Sequence, residues 1–267
     1  MQEKFDIFKK PPLESQIWRY MDFTKFVATI SKSALYFSRM DLLDDKFEGS
    51  IPKAYPLKRS SKKRFYWQLD DRQYRELRNA QKRLDRLLSK VNKANTKLAF
   101  INSWHVNGNE SIAMWRLYLK NAEGVAIQST FKRLNDSFIK KGEVSFGQIN
   151  YVDDYYESFN TEEIYLSHLQ FPFMFKRKCF EFEKELRAII LTAPFTEQAK
   201  KEYLTKRSIR GTPDGLVVQV DLNTLVEKVY VAPTAEKWFG ELVKSVVENY
   251  GFNLAVVPSS LADNPTF

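Results

Sequence analysis

Eight residues two-thirds of the way along the chain restrict most strongly what it can fold into. Residues 180–187 read FEFEKELR, so that apolar side chains largely alternate with charged ones. A period of two is typical of a half-buried β-strand. One face of this strand would carry Phe180, Phe182, Lys184 and Leu186, and the other Glu181, Glu183, Glu185 and Arg187.

The charged face of this predicted strand needs cations nearby, because three carboxylates on one strand face repel one another. Arg187 ends the row, and residues 176–178 immediately upstream are Lys-Arg-Lys. The pattern fits a solvated strand edge, and it equally fits a site that requires a fixed carboxylate.

Composition limits the class of protein. The chain has 267 residues, 43% of them hydrophobic, which is a globular composition with room for one large domain or a domain with an insertion. No apolar run approaches the ~18 residues that span a bilayer, and residues 1–10 lack the apolar core of a signal peptide. One cysteine and two histidines argue against a structural zinc site. We expect a cytoplasmic protein with no membrane contact and no metal.

The basic charge is concentrated in one segment. Residues 53–97 contain 15 Lys and Arg but 4 Asp and Glu, a net charge of +11, whereas the rest of the chain carries −2. A local excess of this size predicts a nucleic-acid or acidic protein partner. The alternative is a solvated basic helix that only maintains solubility. The candidate nucleic-acid contacts are Lys62, Lys63, Arg64, Arg72, Arg75, Arg78, Arg83 and Arg86.

Hydrophobic periodicity predicts an α+β fold. The expected core is a mixed or antiparallel sheet of short strands, within a single domain over residues 1–267, and residues 51–97 form a basic helical insertion in it. A long helix opens at Asp70, where acidic residues suit a helix N-terminus. The strands are expected at 17–20, 34–38, 98–104, 124–128, 180–191, 216–220, 226–231 and 254–257, and residues 144–152 are expected to form either a strand pair or one bent strand. Further helices are expected at 23–31, 111–119, 161–175 as far as Pro172, and 238–250.

Several short motifs follow one another in a recognisable order. They are residues 18–20, 35–38, 43–49, 111–118 around Met114 and Trp115, 124–127, 178–187, and 229–233 followed by Trp238. Their order resembles that in a bacterial family of uncharacterised proteins that includes the AbiGi-type abortive-infection proteins. The resemblance covers most of the chain except the basic segment, and it implies a toxin or a phage-defence effector without specifying an activity.

The layout is also similar to that of ADP-ribosyltransferases: an Arg in the first strand, a short helix, a Tyr/Ser strand and a later Glu-x-Glu strand. This resemblance implies that Arg19, Tyr36 and Ser38 bind NAD, which is the substrate. It implies that Glu185 is the catalytic glutamate and that Glu183 orients the acceptor nucleophile. The chain departs from the pattern in having Tyr-Phe-Ser at residues 36–38, where a Ser-Thr-Ser run is usual.

The chemistry of NAD cleavage explains why these residue types are needed. Breaking the bond between nicotinamide and ribose develops positive charge on the sugar, which a carboxylate such as that of Glu185 can stabilise. Arg19 can donate two hydrogen bonds to phosphate oxygens, and Tyr36 can stack on nicotinamide. A structural alternative stays open, in which Arg19 pairs with Glu48 or Glu185 in an ion network.

Two further functions compete with the transferase. A non-enzymatic binder would use the basic segment to contact phosphates, with Tyr66, Trp67 and Tyr74 as stacking surfaces. A metal-dependent nuclease lacks the usual carboxylate two residues before a lysine, and we rank it last. Its magnesium ligands would be Asp44, Asp45, Glu48, Glu183 and Glu185, with Lys178 near the scissile phosphate.

Overall fold

The computed structural model describes residues 8–50, 70–119, 122–140, 142–153, 171–194, 197–206 and 210–263. The strands are β1 Gln16–Asp22, β2 Ala34–Arg39, β3 Ala99–Val106, β4 Gly124–Thr130, β5 Ser145–Gln148, β6 Asn150–Val152, β7 Phe175–Arg177, β8 Glu185–Leu191, β9 Gly215–Gln219, β10 Lys228–Val231 and β11 Ala255–Pro258. The α-helices are α1 Phe23–Lys32, α2 Asp71–Asn95, α3 Ile112–Tyr118, α4 Phe131–Ser137, α5 Glu197–Lys206, α6 Leu222–Leu225 and α7 Lys237–Asn249. The 3₁₀ turns are Met40–Leu42, Phe171–Met174, Lys178–Glu183 and Ser260–Ala262.

Nine of these strands form one mixed, mostly antiparallel sheet. Strands β11, β10, β4, β1 and β3 are neighbours in that order, and β8 and then β5 continue the sheet beyond β3. Strands β2 and β9 join β3 on the same edge as β1. Only β10 and β11 pair in parallel within the described part of this sheet, and β6 and β7 form a separate parallel pair. The predicted α+β class with a mixed sheet is confirmed.

The two faces of the sheet are covered differently. One face, which we call the helical face, carries the main core, where Ile17, Phe100 and Leu186 lie among side chains from α1, α4 and α7. Helix α1 turns Phe26 and Ile30, four residues apart, toward this core. The opposite face, which we call the site face, carries two smaller apolar clusters. One of these surrounds Trp18 and Trp115, and the other surrounds Ile101 and Phe173.

Strands β1 and β2 leave a gap along β3. Strand β1 pairs with β3 as far as Trp18 opposite His105, and β2 pairs with it from Ser38 opposite Ile101. Between these points, residues 102–104 lack a strand partner on that edge, within the described chain. Buried backbone groups need hydrogen-bond partners. We call this opening the strand gap. The backbone groups of residues 102–104 that face it need hydrogen bonds from side chains or from groups across the gap.

The predicted strand over residues 180–191 is wrong in its first half. Residues Lys178–Glu183 form a 3₁₀ helix, Lys184 is left-handed with φ of +41°, and β8 begins only at Glu185. Phe182 is consequently exposed instead of buried. Alternation alone cannot reveal a reversal at Lys184, because left-handed backbone is signalled by Gly or Asn and neither is present.

The basic segment contains the long helix that the sequence predicted. Asp70 caps α2 by accepting the backbone N–H groups of Arg72 and Gln73, and Gln73 bonds back to Asp70 in a capping box. Its last turn is buried through Asn92, Ala94 and Asn95, whereas the described side chains before Val91 are exposed or half-buried. The predicted contacts Lys62, Lys63 and Arg64 lie outside the described residues, as does most of the helix predicted over residues 161–175.

Candidate functional site

Five charged side chains form a buried cluster on the site face. Lys176 Nζ lies 2.6 Å from Glu183 Oε2, 3.1 Å from Glu48 Oε1 and 3.5 Å from Glu185 Oε2. Arg187 bonds Glu48 Oε2 at 2.5 Å and Glu185 Oε1 at 2.7 Å. We call these five residues the ion cluster. Three carboxylates face two cations, so that the cluster has one formal negative charge in excess.

The ion cluster is assembled from distant parts of the chain. The alternation of β8 puts Glu185 and Arg187 on the same face, and β7 supplies Lys176. The peptide N–H of Glu185 donates to the Tyr151 hydroxyl at 2.8 Å. Arg187 is further fixed by its Nη1, which donates to the Phe173 carbonyl at 2.7 Å. The side chains are therefore held on several elements, in a geometry that packing has already set.

Glu48 reaches the cluster from a turn that α2 supports. Gly49 follows it with φ of +68°, and a Cβ there would lie 3.0 Å from Met40 Cγ. The Gly49 carbonyl accepts a hydrogen bond from Asn92 Nδ2 in the last turn of α2, at 2.5 Å. The base of the basic helix is thus tied to the residue next to a cluster carboxylate.

Glu185 is fully occupied by its neighbours. Its Oε1 accepts from Ser103 Oγ at 2.5 Å and from Arg187 Nε, and its Oε2 accepts from Arg187 Nη2 at 2.9 Å and from Lys176. A carboxylate offers about four acceptor positions. Burial raises the pKa of Glu185, but Arg187 and Lys176 outweigh it and hold the pKa at about 2. Glu185 is therefore a permanent anion without a lone pair to offer a ligand.

Glu183 differs from Glu185 both in the direction of its pKa shift and in the number of its hydrogen bonds. Burial raises its pKa, and Lys176 offsets this only in part. Its Oε2 accepts from Lys176, whereas its Oε1 forms no hydrogen bond to the residues that the structure describes. A carboxylate with a raised pKa and an unused oxygen can accept a proton or a hydroxyl hydrogen bond.

Arg19 fills the strand gap. Its side chain leaves β1 on the helical face, and its Nη1 donates to the Ser103 carbonyl at 2.6 Å. The guanidinium carbon lies 6.0 Å from the centre of the Trp104 ring. Burial lowers the pKa of Arg19 to about 10, and no carboxylate in the described chain forms a salt bridge with it. The ion network anticipated for Glu48 and Glu185 therefore exists, but its cations are Arg187 and Lys176.

Tyr118 is the last residue of α3 and lies near both the ion cluster and Arg19. It is 41% exposed, yet desolvation of its hydroxyl and the charges of Glu183 and Glu185 raise its pKa to about 12. Lys176 and Arg19 act on it in the opposite direction. The Tyr118 hydroxyl therefore lies within electrostatic range of both the ion cluster and Arg19.

His105 is buried next to Glu185 in register on the site face. Its Nδ1 lies 2.6 Å from the Glu183 carbonyl, which can only accept, so that Nδ1 carries the proton. Burial lowers the pKa of His105. Its Nε2 is buried and has no hydrogen-bond partner in the described structure. The ring is a neutral imidazole with an unused lone pair.

The predicted NAD contacts on β2 lie on the same sheet face as the ion cluster. Tyr36 and Ser38 share the face of Ile101, to which Ser38 is paired. The Tyr36 ring is 48% exposed and covers Gly215, where any Cβ would come within 2.2 Å of the ring. The Tyr36 carbonyl accepts from Asn102 Nδ2 across the strand gap. The sequence therefore named residues from both borders of the gap.

The acidic set of the nuclease hypothesis is only partly brought together: Glu48, Glu183 and Glu185 meet in the ion cluster, where Lys176 and Arg187 occupy the space between them, and Asp44 and Asp45 do not join them. Asp45 bonds Arg177 at 3.0 Å, Asp44 is exposed, and Glu48 belongs to the ion cluster. Within the described ranges, no group of three or more His, Cys, Asp or Glu side chains is arranged to hold a metal ion.

Several residues of the site were not predicted from the sequence as functional: Lys176, Arg187, Tyr118 and His105. Lys176 did carry a signal, because it lies seven residues before Glu183 and nine before Glu185, and the row of carboxylates predicts cations nearby. Tyr118 and His105 carried no such signal, since only the packing of α3 and β3 brings them to the cluster.

Comparisons with known proteins identify no relative. The chain matches no protein-family model, no curated protein and no solved structure. Among the helices in the described residues, none has the length and hydropathy to cross a membrane.

Proposed function

We propose that this protein is an ADP-ribosyltransferase-like enzyme that binds NAD at the strand gap and cleaves its nicotinamide–ribose bond, as a bacterial toxin or phage-defence effector. One observation carries the proposal: Arg19, a partly buried cation without a carboxylate partner in the described chain, bonds the carbonyl of Ser103 at the strand gap, and the hydroxyl of the same Ser103 bonds Glu185 of the ion cluster. A desolvated cation of this kind favours binding of an anion.

Arg19 suits the pyrophosphate of NAD. A guanidinium has five N–H donors in a planar fork, and the described structure gives one of them an acceptor, the Ser103 carbonyl. The remaining donors can bind two phosphate oxygens at once. Tyr36 and Tyr118, both partly exposed, provide the aromatic surfaces for the nicotinamide and ribose.

The proposal assigns the reacting carboxylate to Glu183, whereas the resemblance implied Glu185. The lone pairs of Glu185 are occupied by Ser103, Arg187 and Lys176, so that Glu185 positions the cluster without touching the substrate. Glu183 has an unused oxygen, and its carbonyl is fixed by His105. Its carboxylate can bond a ribose hydroxyl and stabilise positive charge on the sugar.

The proposed reaction breaks the bond between the ribose C1′ and the nicotinamide nitrogen. The electron pair leaves with nicotinamide, which becomes neutral, and C1′ acquires the positive charge. A nucleophile on the acceptor then forms a bond to C1′ and loses its proton. The raised pKa of Glu183 suits it to receive that proton.

The decisive test is release of nicotinamide from NAD by the purified full-length chain. We expect wild-type release and a loss on the order of 100-fold or more in Glu183→Gln, since the amide keeps the shape and removes the charge. Arg19→Gln should weaken NAD binding in calorimetry. Arg133→Gln is the matched control, because among the described residues Arg133 also donates to backbone carbonyls alone, those of Asn223 and Val226, away from the gap.

Two results would overturn the proposal. The first is a wild-type chain that neither binds NAD nor releases nicotinamide with any acceptor supplied. The second is equal activity in Glu183→Gln and wild type, with circular dichroism showing both to be folded.

A further inference from the structure

The basic residues of α2 lie along one side of the helix. At about 100° and 1.5 Å per residue, they project within an arc of about 140° and extend over about 32 Å. We call them the basic stripe. Its members are Arg72, Arg75, Arg78, Lys82, Arg83, Arg86, Lys90 and Lys93, all of them exposed.

Most charges of the basic stripe are not neutralised by side chains in the described part of the chain. Arg72 pairs with Glu76 at 3.1 Å, and Arg75 donates to the Asp71 carbonyl at 3.0 Å. The other six form no salt bridge with the side chains that the structure describes. Free cations on one exposed side of a helix repel one another, so that a partner with a matching row of anions would be stabilised there.

We propose that the basic stripe binds the phosphate backbone of double-stranded nucleic acid without regard to base sequence. A duplex carries one phosphate charge per ~1.7 Å of its axis, whereas the stripe places one cation about every 4.5 Å, so that the duplex supplies more than enough negative charge along the length of the stripe. The stripe is about as long as one helical turn of a duplex, ~34 Å. A folded acidic protein presents no comparable unbroken row of negative charge.

The surroundings of the stripe support a surface built for a large anion. The body of the protein outside residues 53–97 is close to neutral, with a net charge of −2, so that the positive potential is local. The helix is anchored at its C-terminal turn, where Asn92 and Asn95 are buried. The proposal does not depend on NAD chemistry, and failure of either proposal leaves the other unaffected.

The test is fluorescence anisotropy with a labelled 20-base-pair DNA duplex of arbitrary sequence between 50 and 200 mM salt. The stripe variant replaces Arg78, Lys82, Arg83, Arg86 and Lys90 by Gln, which preserves helix propensity. The matched control replaces five exposed lysines of the body by Gln, namely Lys132, Lys140, Lys201, Lys228 and Lys237.

We expect wild type to bind with an affinity that falls steeply with salt. The slope of log K against log salt should decrease by about 0.9 for each phosphate contact that the stripe variant loses. The stripe variant should also bind at least tenfold more weakly than the control variant, with an unchanged circular dichroism spectrum.

Three outcomes would overturn the proposal: no binding by wild type at 50 mM salt, equal weakening in the stripe and control variants, or equal or tighter binding of single-stranded DNA of the same total charge. Competition by polyglutamate as effective as that by the duplex would also contradict it, since it would point to an acidic protein partner.

Discussion

His105 donates its Nδ1 proton to the backbone carbonyl of Glu183 at 2.6 Å, and this bond joins β3 to the turn that precedes β8. Because the imidazole is buried and Lys184 is nearby, the pKa of His105 is lowered, its ordinary value being about 6.5. The folded protein therefore holds a neutral ring at a pH where the unfolded chain takes up a proton.

The pH dependence of stability follows from this relationship. Above pH 6.5 the histidine is neutral in both the folded and the unfolded state, so that stability is at its full value. As the pH falls below 6.5, the unfolded chain binds a proton that the folded state does not, and the protein loses stability. We expect the Tm to decline below pH 6.5 more in wild type than in His105→Asn, which keeps a donor near the Nδ1 position but cannot be protonated. His168→Asn is the control, because His168 is the other histidine of the chain. An equal decline in His105→Asn and wild type would contradict the assignment.

The ion cluster predicts a large stability difference between two nearby lysines. Lys176 contacts three buried carboxylates, whereas Lys178 bonds Asp153 at the surface. Removing one partner of a buried charge network costs about 3–5 kcal/mol. Lys176→Met should lower the free energy of unfolding in urea by that amount, and Lys178→Met should leave it unchanged within error. Similar values for the two variants would show that the cluster is well hydrated.

Anion binding by Arg19 should be visible without catalysis. A ligand that binds only the folded state stabilises it by RT ln(1 + [L]/Kd). We expect pyrophosphate or ADP-ribose at millimolar concentration to raise the Tm of wild type and of Arg133→Gln, but not of Arg19→Gln. The same rise in all three proteins would assign the anion to another site.

Gly49 should be more sensitive to substitution than another left-handed glycine. Gly49 and Gly251 have φ of +68° and +79°, so that alanine is strained by roughly 1–2 kcal/mol at either position. At Gly49 a Cβ also lies within 3.1 Å of Met40 and Thr96, whereas at Gly251 it meets nothing within 4 Å. Gly49→Ala should cost about 1 kcal/mol more than Gly251→Ala in urea unfolding. Equal costs would mean that the turn next to Glu48 shifts to accommodate the added Cβ without a further loss of stability.

The sequence anticipated the elements whose pattern is long and regular. Helix α2 starts one residue after Asp70, as its acidic cap predicts, and α1 and α7 lie within two residues of their expected bounds. The short helices α4 and α6 were missed, because four to seven residues carry too little periodicity to be distinguished from loops. Helix α5 was also missed, because the apolar residues of Glu197–Lys206 are few and form no clear stripe. The 3₁₀ turn before Glu185 was mistaken for strand for a different reason: the alternation continues through Lys184, whose left-handed backbone has no Gly or Asn to signal it.

The site was predicted less completely than the fold. The resemblance to ADP-ribosyltransferases singled out Arg19, Glu183 and Glu185, and the structure shows that the two glutamates share Lys176. Their different surroundings could not be predicted, because Glu48 lies more than 130 residues away in sequence and approaches only through packing. Alternation along a strand gives the face of a carboxylate but not the number of donors that surround it.

The strand gap has a mechanical consequence. The carbonyl of Ser103 is satisfied by the side chain of Arg19 and not by a neighbouring strand. Separating two paired strands breaks a whole ladder of backbone bonds at once, but rotating one arginine forfeits a single bond, with a net cost of about 1 kcal/mol. The sheet can therefore open locally at the strand gap, while the strand pairs on both sides of the gap stay hydrogen-bonded.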